Sequence, residues 1–193
     1  MNYDNGAMDV GGLRVGYRVE GSGDPVVLLH GLNSHSGTWR KLFPGLSERF
    51  LVFAPSLPAR SGETLEAVVG RCAKMVSSMC KKLGIGRAFF IGNSIGGWVA
   101  MRLAGDEGLV ERLVLEGSAG CESDDAVRLA ARHIPTLIIW GAEDYVSPLN
   151  YGRILNARLP DSRLEVLEGA GHVPHWEQPE RFFALVERFS GSR

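Results

Sequence analysis

Short, uninterrupted apolar runs that alternate with amphipathic stretches constrain this chain more than any other feature. Residues 26–29, 51–54, 88–91, 113–115 and 136–140 are short runs of almost continuous hydrophobicity, the pattern of strands covered on both faces, and 164–167 is a further short run interrupted by Glu165. Helical periodicity is clearest over residues 64–83, where Leu65, Val68, Val69, Cys72, Val76, Met79, Cys80 and Leu83 recur at three and four while Lys74, Lys81 and Lys82 fall opposite. Further helices are expected over 38–46, 95–104, 124–133, 148–159 and 179–189, with Pro148 and Pro179 suited to first turns. Residues 13–19 alternate apolar side chains with Arg14, Gly16 and Arg18, and the turn from Glu20 to Pro25 predicts a hairpin into the next strand. The whole predicts an α/β fold: a mostly parallel sheet with helices on both faces and one antiparallel strand near its start. Ligands in such sheets collect beyond the carboxyl ends of the strands.

At 193 residues the chain is expected to form a single compact domain over 1–193. Twenty-one basic and 22 acidic side chains leave a formal charge of -1, so no global field favours a nucleic acid or an anionic membrane as partner. Residues 1–12 lack the basic and apolar regions of a signal peptide, and no run approaches a membrane span. Cys72, Cys80 and Cys121 are an odd set without metal-ligand spacing, which points to a reducing, cytoplasmic setting. Five histidines without an HExxH pattern give no expectation of a metal, and no glycine cluster forms a dinucleotide fingerprint, so no cofactor is expected. The sequence sets no oligomeric state.

Three segments carry chemistry. Gly92-Asn93-Ser94-Ile95-Gly96-Gly97 lies between the run 88–91 and an apolar helical stretch. With 25 glycines in the chain, a bare Gly-x-Ser-x-Gly arises readily by chance, and a turn capping a helix is the plain alternative. Its place between strand and helix adds weight, because a serine on so sharp a turn exposes its hydroxyl while Gly92 and Gly96 avoid collisions. Trp140-Gly141-Ala142-Glu143-Asp144 and Gly169-Ala170-Gly171-His172 each follow a further strand. A serine hydroxyl needs a base to take its proton, and that base needs an acid to fix its tautomer. Ser94, Asp144 and His172 supply those parts in chain order.

With these residues the chain resembles the α/β-hydrolases of the small esterase and carbon-carbon bond hydrolase type over nearly its whole length, residues 13–189. The resemblance rests on Leu29-His30-Gly31-Leu32, the Ser94 turn, Trp140 to Asp144 with Pro148, and the stretch from Gly171 and His172 through His175 to Pro179 and Glu180. It implies Ser94 as nucleophile, Asp144 as acid and His172 as general base, with the backbone N–H groups of Leu32 and Ile95 as the oxyanion hole. His30 and His175 are expected to be structural, with His175 the second choice as base. His133 has no assigned role, and His35 is a solvated loop residue placed where it could touch substrate. Glu116 ends a strand from which some relatives supply their acid, and is expected to bond the neighbouring loop instead.

Two departures from the family bear on function. After the fourth strand, Ser56-Leu57-Pro58-Ala59-Arg60-Ser61-Gly62 is shorter than the usual loop and lacks its acid and histidine. Between the sixth and seventh strands, where relatives insert a helical cap of tens of residues, only residues 117–133 intervene. An open site without a separate cap is expected, which suits hydrolysis better than a reaction that must exclude water. The reading is therefore a serine carboxylesterase acting on small esters or thioesters. The alternatives are a carbon-carbon bond hydrolase or perhydrolase on the same residues, and a non-catalytic small-molecule binding protein on the hydrolase scaffold.

Overall fold

The computed structural model describes residues 4–58, 62–105 and 108–191, so Ala59, Arg60 and Ser61 of the loop after the fourth strand lie outside the described residues. Eight strands form one sheet: β1 (Gly6–Val10), β2 (Leu13–Glu20), β3 (Asp24–Leu29), β4 (Phe50–Pro55), β5 (Ala88–Asn93), β6 (Val110–Glu116), β7 (Thr136–Gly141) and β8 (Ser162–Leu167). Their order is β1-β2-β4-β3-β5-β6-β7-β8. β3 to β8 run parallel, β2 is antiparallel to β4, and β1 is antiparallel to β2.

The expected hairpin between residues 13–19 and 26–29 does not form. β4 lies between β2 and β3 in the sheet, and the hairpin partner of β2 is β1, joined to it through Gly11 and Gly12 with positive φ. The turn after Glu20 instead carries the chain past the edge of β4, where a Cβ on Gly23 would meet the Arg49 carbonyl at 2.9 Å.

Seven α-helices accompany the sheet: α1 (Phe43–Ser47), α2 (Leu65–Lys82), α3 (Ile95–Gly105), α4 (Asp124–Ala130), α5 (Leu149–Arg158), α6 (Pro174–Glu177) and α7 (Pro179–Gly191). The period of two in the strands sorts the core into two layers. Val27, Leu29, Phe90, Leu113, Leu115 and Ile138 face one cluster with α2, α3, α4 and α5, while Val26, Leu28, Phe89, Ile91, Val114 and Leu137 face the other with α1 and α7. The longest helix, α2, is capped by Thr64, whose hydroxyl accepts from Ala67 N, and has Glu66 in its first turn and Lys81 and Lys82 in its last, complementing the helix dipole.

The helix expected over 38–46 is broken into a 3₁₀ segment, Ser36–Lys41, and the five-residue α1. Pro44 has no N–H to extend a helix from the preceding segment, and Gly37 and Gly45 weaken helix on either side. α4 ends three residues short of the expected 133, where His133 takes a left-handed φ of 52°. Among the described residues no helix is long and apolar enough to cross a membrane.

Candidate active site

Sheet order decides where the site falls. From β3 the chain moves outward to β4 and then returns to place β5 on the other side of β3, so the carboxyl ends of β3 and β5 flank the point where strand order reverses. That crevice is where open α/β sheets hold ligands. β3 delivers His30 to Asn33 there, and β5 delivers Asn93 and Ser94.

Ser94 sits between β5 and α3 with φ 54°, a left-handed conformation that costs a serine energy and is held by its surroundings. Its N–H donates to Glu116 O at 2.9 Å, and its own carbonyl accepts from Ala119 N at 3.1 Å and Gly97 N at 3.1 Å. The turn demands glycine at both flanks. A Cβ on Gly92 would lie 2.6 Å from backbone atoms of Gly96 and Gly97, and one on Gly96 would strike the Leu29 carbonyl group. Gly31 has the same need, since a Cβ there would come within 2.8 Å of Asn93 Oδ1 and 3.3 Å of Ser94 Cβ.

Asp144 and His172 meet directly. His172 Nδ1 lies 2.8 Å from Asp144 Oδ2, and Asp144 Oδ1 accepts from Val146 N at 2.9 Å and Ser147 N at 2.8 Å. The Asp144 side chain is fully buried while that of His172 keeps 18% exposure, so the imidazole is clamped at one edge and open at the other. Nδ1 faces the carboxylate, and among the described residues Nε2 makes no hydrogen bond.

Two contacts tie this pair to residues next to the Ser94 turn. Asn93 Nδ2 donates to His172 O at 3.1 Å, and a Cβ on Gly117 would lie 3.1 Å from both Asp144 Oδ2 and His172 Nδ1. Gly117 directly follows Glu116, whose carbonyl receives the Ser94 N–H. Among the described residues Ser94 Oγ makes no hydrogen bond, and the backbone N–H groups of Leu32 and Ile95 donate to no other group of the chain. The latter opens α3, where first-turn N–H groups have no partner within the helix.

The remaining histidines are engaged elsewhere. His30 is buried, with Nε2 accepting from Leu57 N at 2.7 Å and Nδ1 2.7 Å from Gly31 O, which makes it a strap between the loops after β3 and β4. Burial lowers its pKa to about 4, against the smaller upward pull of the Gly31 carbonyl. His35 is exposed and its Nδ1 caps the 3₁₀ segment by accepting from Gly37 N at 3.1 Å. His133 Nδ1 lies 2.7 Å from Asp161 Oδ2, away from the site.

His175 forms a second carboxylate–imidazole pair that its sequence position did not reveal. Its Nδ1 lies 2.6 Å from Glu116 Oε2, its backbone N donates to Glu116 Oε1 at 2.7 Å, and its Nε2 lies 3.0 Å from Thr38 Oγ1. Both side chains are buried, and the imidazole stacks on Trp39 at 3.9 Å. Glu116 thus touches three parts of the site: the Ser94 turn through its carbonyl, the His172 loop through His175, and the segment after Leu32 through Thr38. Glu177 braces the same loop by accepting from Gly171 N at 2.6 Å and Val173 N at 2.9 Å. Asn93 and Glu177 stand inside recognisable motifs but have no chemistry of their own to mark them. Among the described residues no three His, Cys, Asp or Glu side chains are grouped as a metal ion would require.

A mostly parallel sheet with a serine on a strained strand-to-helix turn, and an Asp–His pair delivered by two later strands, defines the α/β-hydrolase class of fold. The chain belongs to the alpha/beta hydrolase family: its family model matches residues 26–133, and a second model, alpha/beta hydrolase fold, matches residues 119–179. Among its relatives is the uncharacterized protein Mb2734 of Mycobacterium bovis, 26% identical over an alignment that covers 93% of this chain and 79% of that one. That alignment runs over 269 positions against the 193 residues here, so the relative carries segments with no counterpart in this chain. A soluble epoxide hydrolase of Corynebacterium is 37% identical over 111 residues, covering 55% of this chain and 38% of that one. In solved structures, a predicted CIB-like hydrolase of Thermoplasma acidophilum superposes with a TM-score of 0.85 at 26% identity, covering 96% of both chains. Hydrolases of this family act on small-molecule substrates.

Proposed function

We propose that the protein is a serine carboxylesterase that hydrolyses small carboxylic esters or thioesters through an acyl-serine. The observation that carries this reading is the 2.8 Å contact between His172 Nδ1 and the buried Asp144, beside a serine whose hydroxyl no other group of the described chain engages. In the proposed mechanism Ser94 Oγ attacks the acyl carbonyl while His172 Nε2 takes its proton, and Asp144 holds the imidazole tautomer and stabilises the cation that forms. Negative charge on the former carbonyl oxygen falls to the Leu32 and Ile95 N–H groups, which need not reorganise to receive it. Collapse expels an alcohol or thiol, which takes the proton from His172. Water, deprotonated by the same imidazole, then releases the acid. A Ser94–His172 bond that is open without substrate is compatible with this sequence, since such contacts tighten in the Michaelis complex.

Similarity to an epoxide hydrolase raises a second reading, and the chemistry of Ser94 speaks against it. A carboxylate that opens an epoxide leaves an ester that water can cleave, whereas a serine would leave an ether that it cannot. The reaction favoured among acyl substrates follows from the connection between β6 and β7, residues 117–135, which holds only α4. A single compact domain without a separate cap leaves the site open, and ester hydrolysis tolerates that exposure better than carbon-carbon cleavage does. Hydrolysis of p-nitrophenyl acetate tests the proposal: turnover by the wild type that is lost in S94A supports it, and turnover undiminished in S94A, or none in a folded wild type, refutes it.

A further inference from the structure

Beside the proposed reacting centre lies an open groove of about 620 Å³ between α2, α3, α4 and α5. Three of its lining residues bond directly to that centre. Ala119 N and Trp98 N donate to Ser94 O at 3.1 and 3.3 Å, and Ser147 N donates to Asp144 Oδ1 at 2.8 Å. The groove wall is therefore built from residues that hold the Ser94 turn and the Asp144 carboxylate in place. Apolar side chains stand open along it beside the charged ones, with Leu65 47% and Tyr151 40% exposed, and the indole of Trp98 is fixed by a 2.8 Å bond from Nε1 to Asp125 Oδ2.

The charges around the groove are unbalanced. Glu66, Glu122, Asp124 and Asp125 stand against Arg102 and Arg128. Arg102 is committed: its Nε and Nη2 bond Asp125, and Nη2 also pairs with Glu66, contacts that hold its pKa well above the usual guanidinium value. Arg128 lies on the solvent side, 65% exposed, with Nη1 3.7 Å from Asp125. Among the described residues Glu122 and Asp124 form no ion pair; desolvation raises the pKa of the buried Cys121 thiol in the groove wall, and Glu122 adds to that rise while Arg158, which donates to Cys121 O at 2.8 Å, opposes it. Among the described residues that line the groove, an entering carboxylate would meet Glu122 and Asp124, neither in an ion pair, with the Arg102 guanidinium already engaged and Arg128 only at the solvent edge.

We propose that this groove holds the acyl group of the substrate and selects uncharged acyl groups over those that end in a carboxylate. This deepens the esterase reading and rests on Ser94 as nucleophile. The test compares kcat/KM for p-nitrophenyl acetate, p-nitrophenyl hexanoate and mono-p-nitrophenyl adipate, the last two being six-carbon chains that differ in a terminal carboxylate. Hexanoate is expected to exceed adipate by about tenfold at low salt, as two nearby surface charges would produce, with the gap narrowing as salt is added. E122Q/D124N, at two exposed positions, is expected to bring the hexanoate-to-adipate ratio close to one, and Y151A to lower the hexanoate-to-acetate ratio. Acetate turnover that depends on Ser94, with a hexanoate-to-adipate ratio near one in the wild type or unmoved in E122Q/D124N, overturns the groove assignment alone. Absence of acetate turnover, or its persistence in S94A, overturns the Ser94 reading and this inference with it.

Discussion

Replacing Thr38 with valine removes one hydroxyl and keeps the side chain's shape. In the wild type that hydroxyl lies 3.0 Å from His175 Nε2, on an imidazole with no access to solvent. With Nδ1 held by Glu116, T38V takes away the hydroxyl beside Nε2 and leaves that buried nitrogen without the partner it has in the wild type. Such a loss costs about 1–3 kcal/mol of stability. Thr38 also anchors the segment after Leu32, and a shift of that segment misplaces the proposed oxyanion donor, so kcat should fall about 10- to 100-fold with KM little changed. Glu116→Gln should be milder although it changes the carboxylate itself. The amide oxygen keeps the His175 N–H, the amide nitrogen donates to Nδ1, and the displaced ring proton moves to Nε2 and bonds Thr38 Oγ1. H175F should be harsher, about 3–5 kcal/mol, because it leaves Glu116 buried without its partner. Urea unfolding and steady-state ester kinetics on the three variants supply the ranking. A T38V protein with full kcat, or E116Q as damaging as H175F, would refute the account of this network.

D144N should slow acylation by about 10⁴-fold, since the amide favours the wrong imidazole tautomer, whereas E116Q acylates at close to the wild-type rate; single-turnover measurements on folded variants that showed the opposite order would move the acid to Glu116. G96A should be destabilised by more than about 3 kcal/mol, because the added methyl meets the Leu29 carbonyl group of a buried strand and no flexible side chain, and a chemical melt near that of the wild type would show that the turn relaxes. His30 gives a pH signature: its pKa of about 4 in the fold lies below the unfolded value of 6.5, so the unfolded chain binds the extra proton first. Its contribution is full above pH 6.5, is lost as pH falls toward 4, and amounts to about 3 kcal/mol. The slope of urea midpoint against pH in that window should flatten in H30Q, and an unchanged slope would sink the assignment.

Five of the parallel strands were legible because burial on both faces leaves a nearly uninterrupted apolar run, and β8, half-buried at the edge, showed as a short run broken by Glu165; the segments that end in Ser94, Asp144 and His172 were legible because each follows one of these runs. Pairing was not. β2 bonds to β4, more than thirty residues later in the chain, and nothing local to the turn at Gly21 and Gly23 distinguishes that route from a hairpin. β1 escaped notice because Gly6, Ala7 and Asp9 give a five-residue strand little apolar character. The broken helix after Ser36 was foreshadowed by Gly37, Pro44 and Gly45, which periodicity alone overrode. The Glu116–His175 pair spans 59 residues, and its meaning depends on burial that only the packing of Trp39 and Phe182 against the imidazole supplies.

If the hydroxyl of Ser94 is the nucleophile, a covalent inhibitor should capture it there. The protein is treated with a fluorophosphonate, its intact mass is measured, and the modified peptide is mapped. One adduct per chain is expected, on Ser94, formed in step with loss of ester turnover and absent from S94A. An adduct on another residue that accompanies the loss of turnover, with Ser94 unmodified, would contradict it.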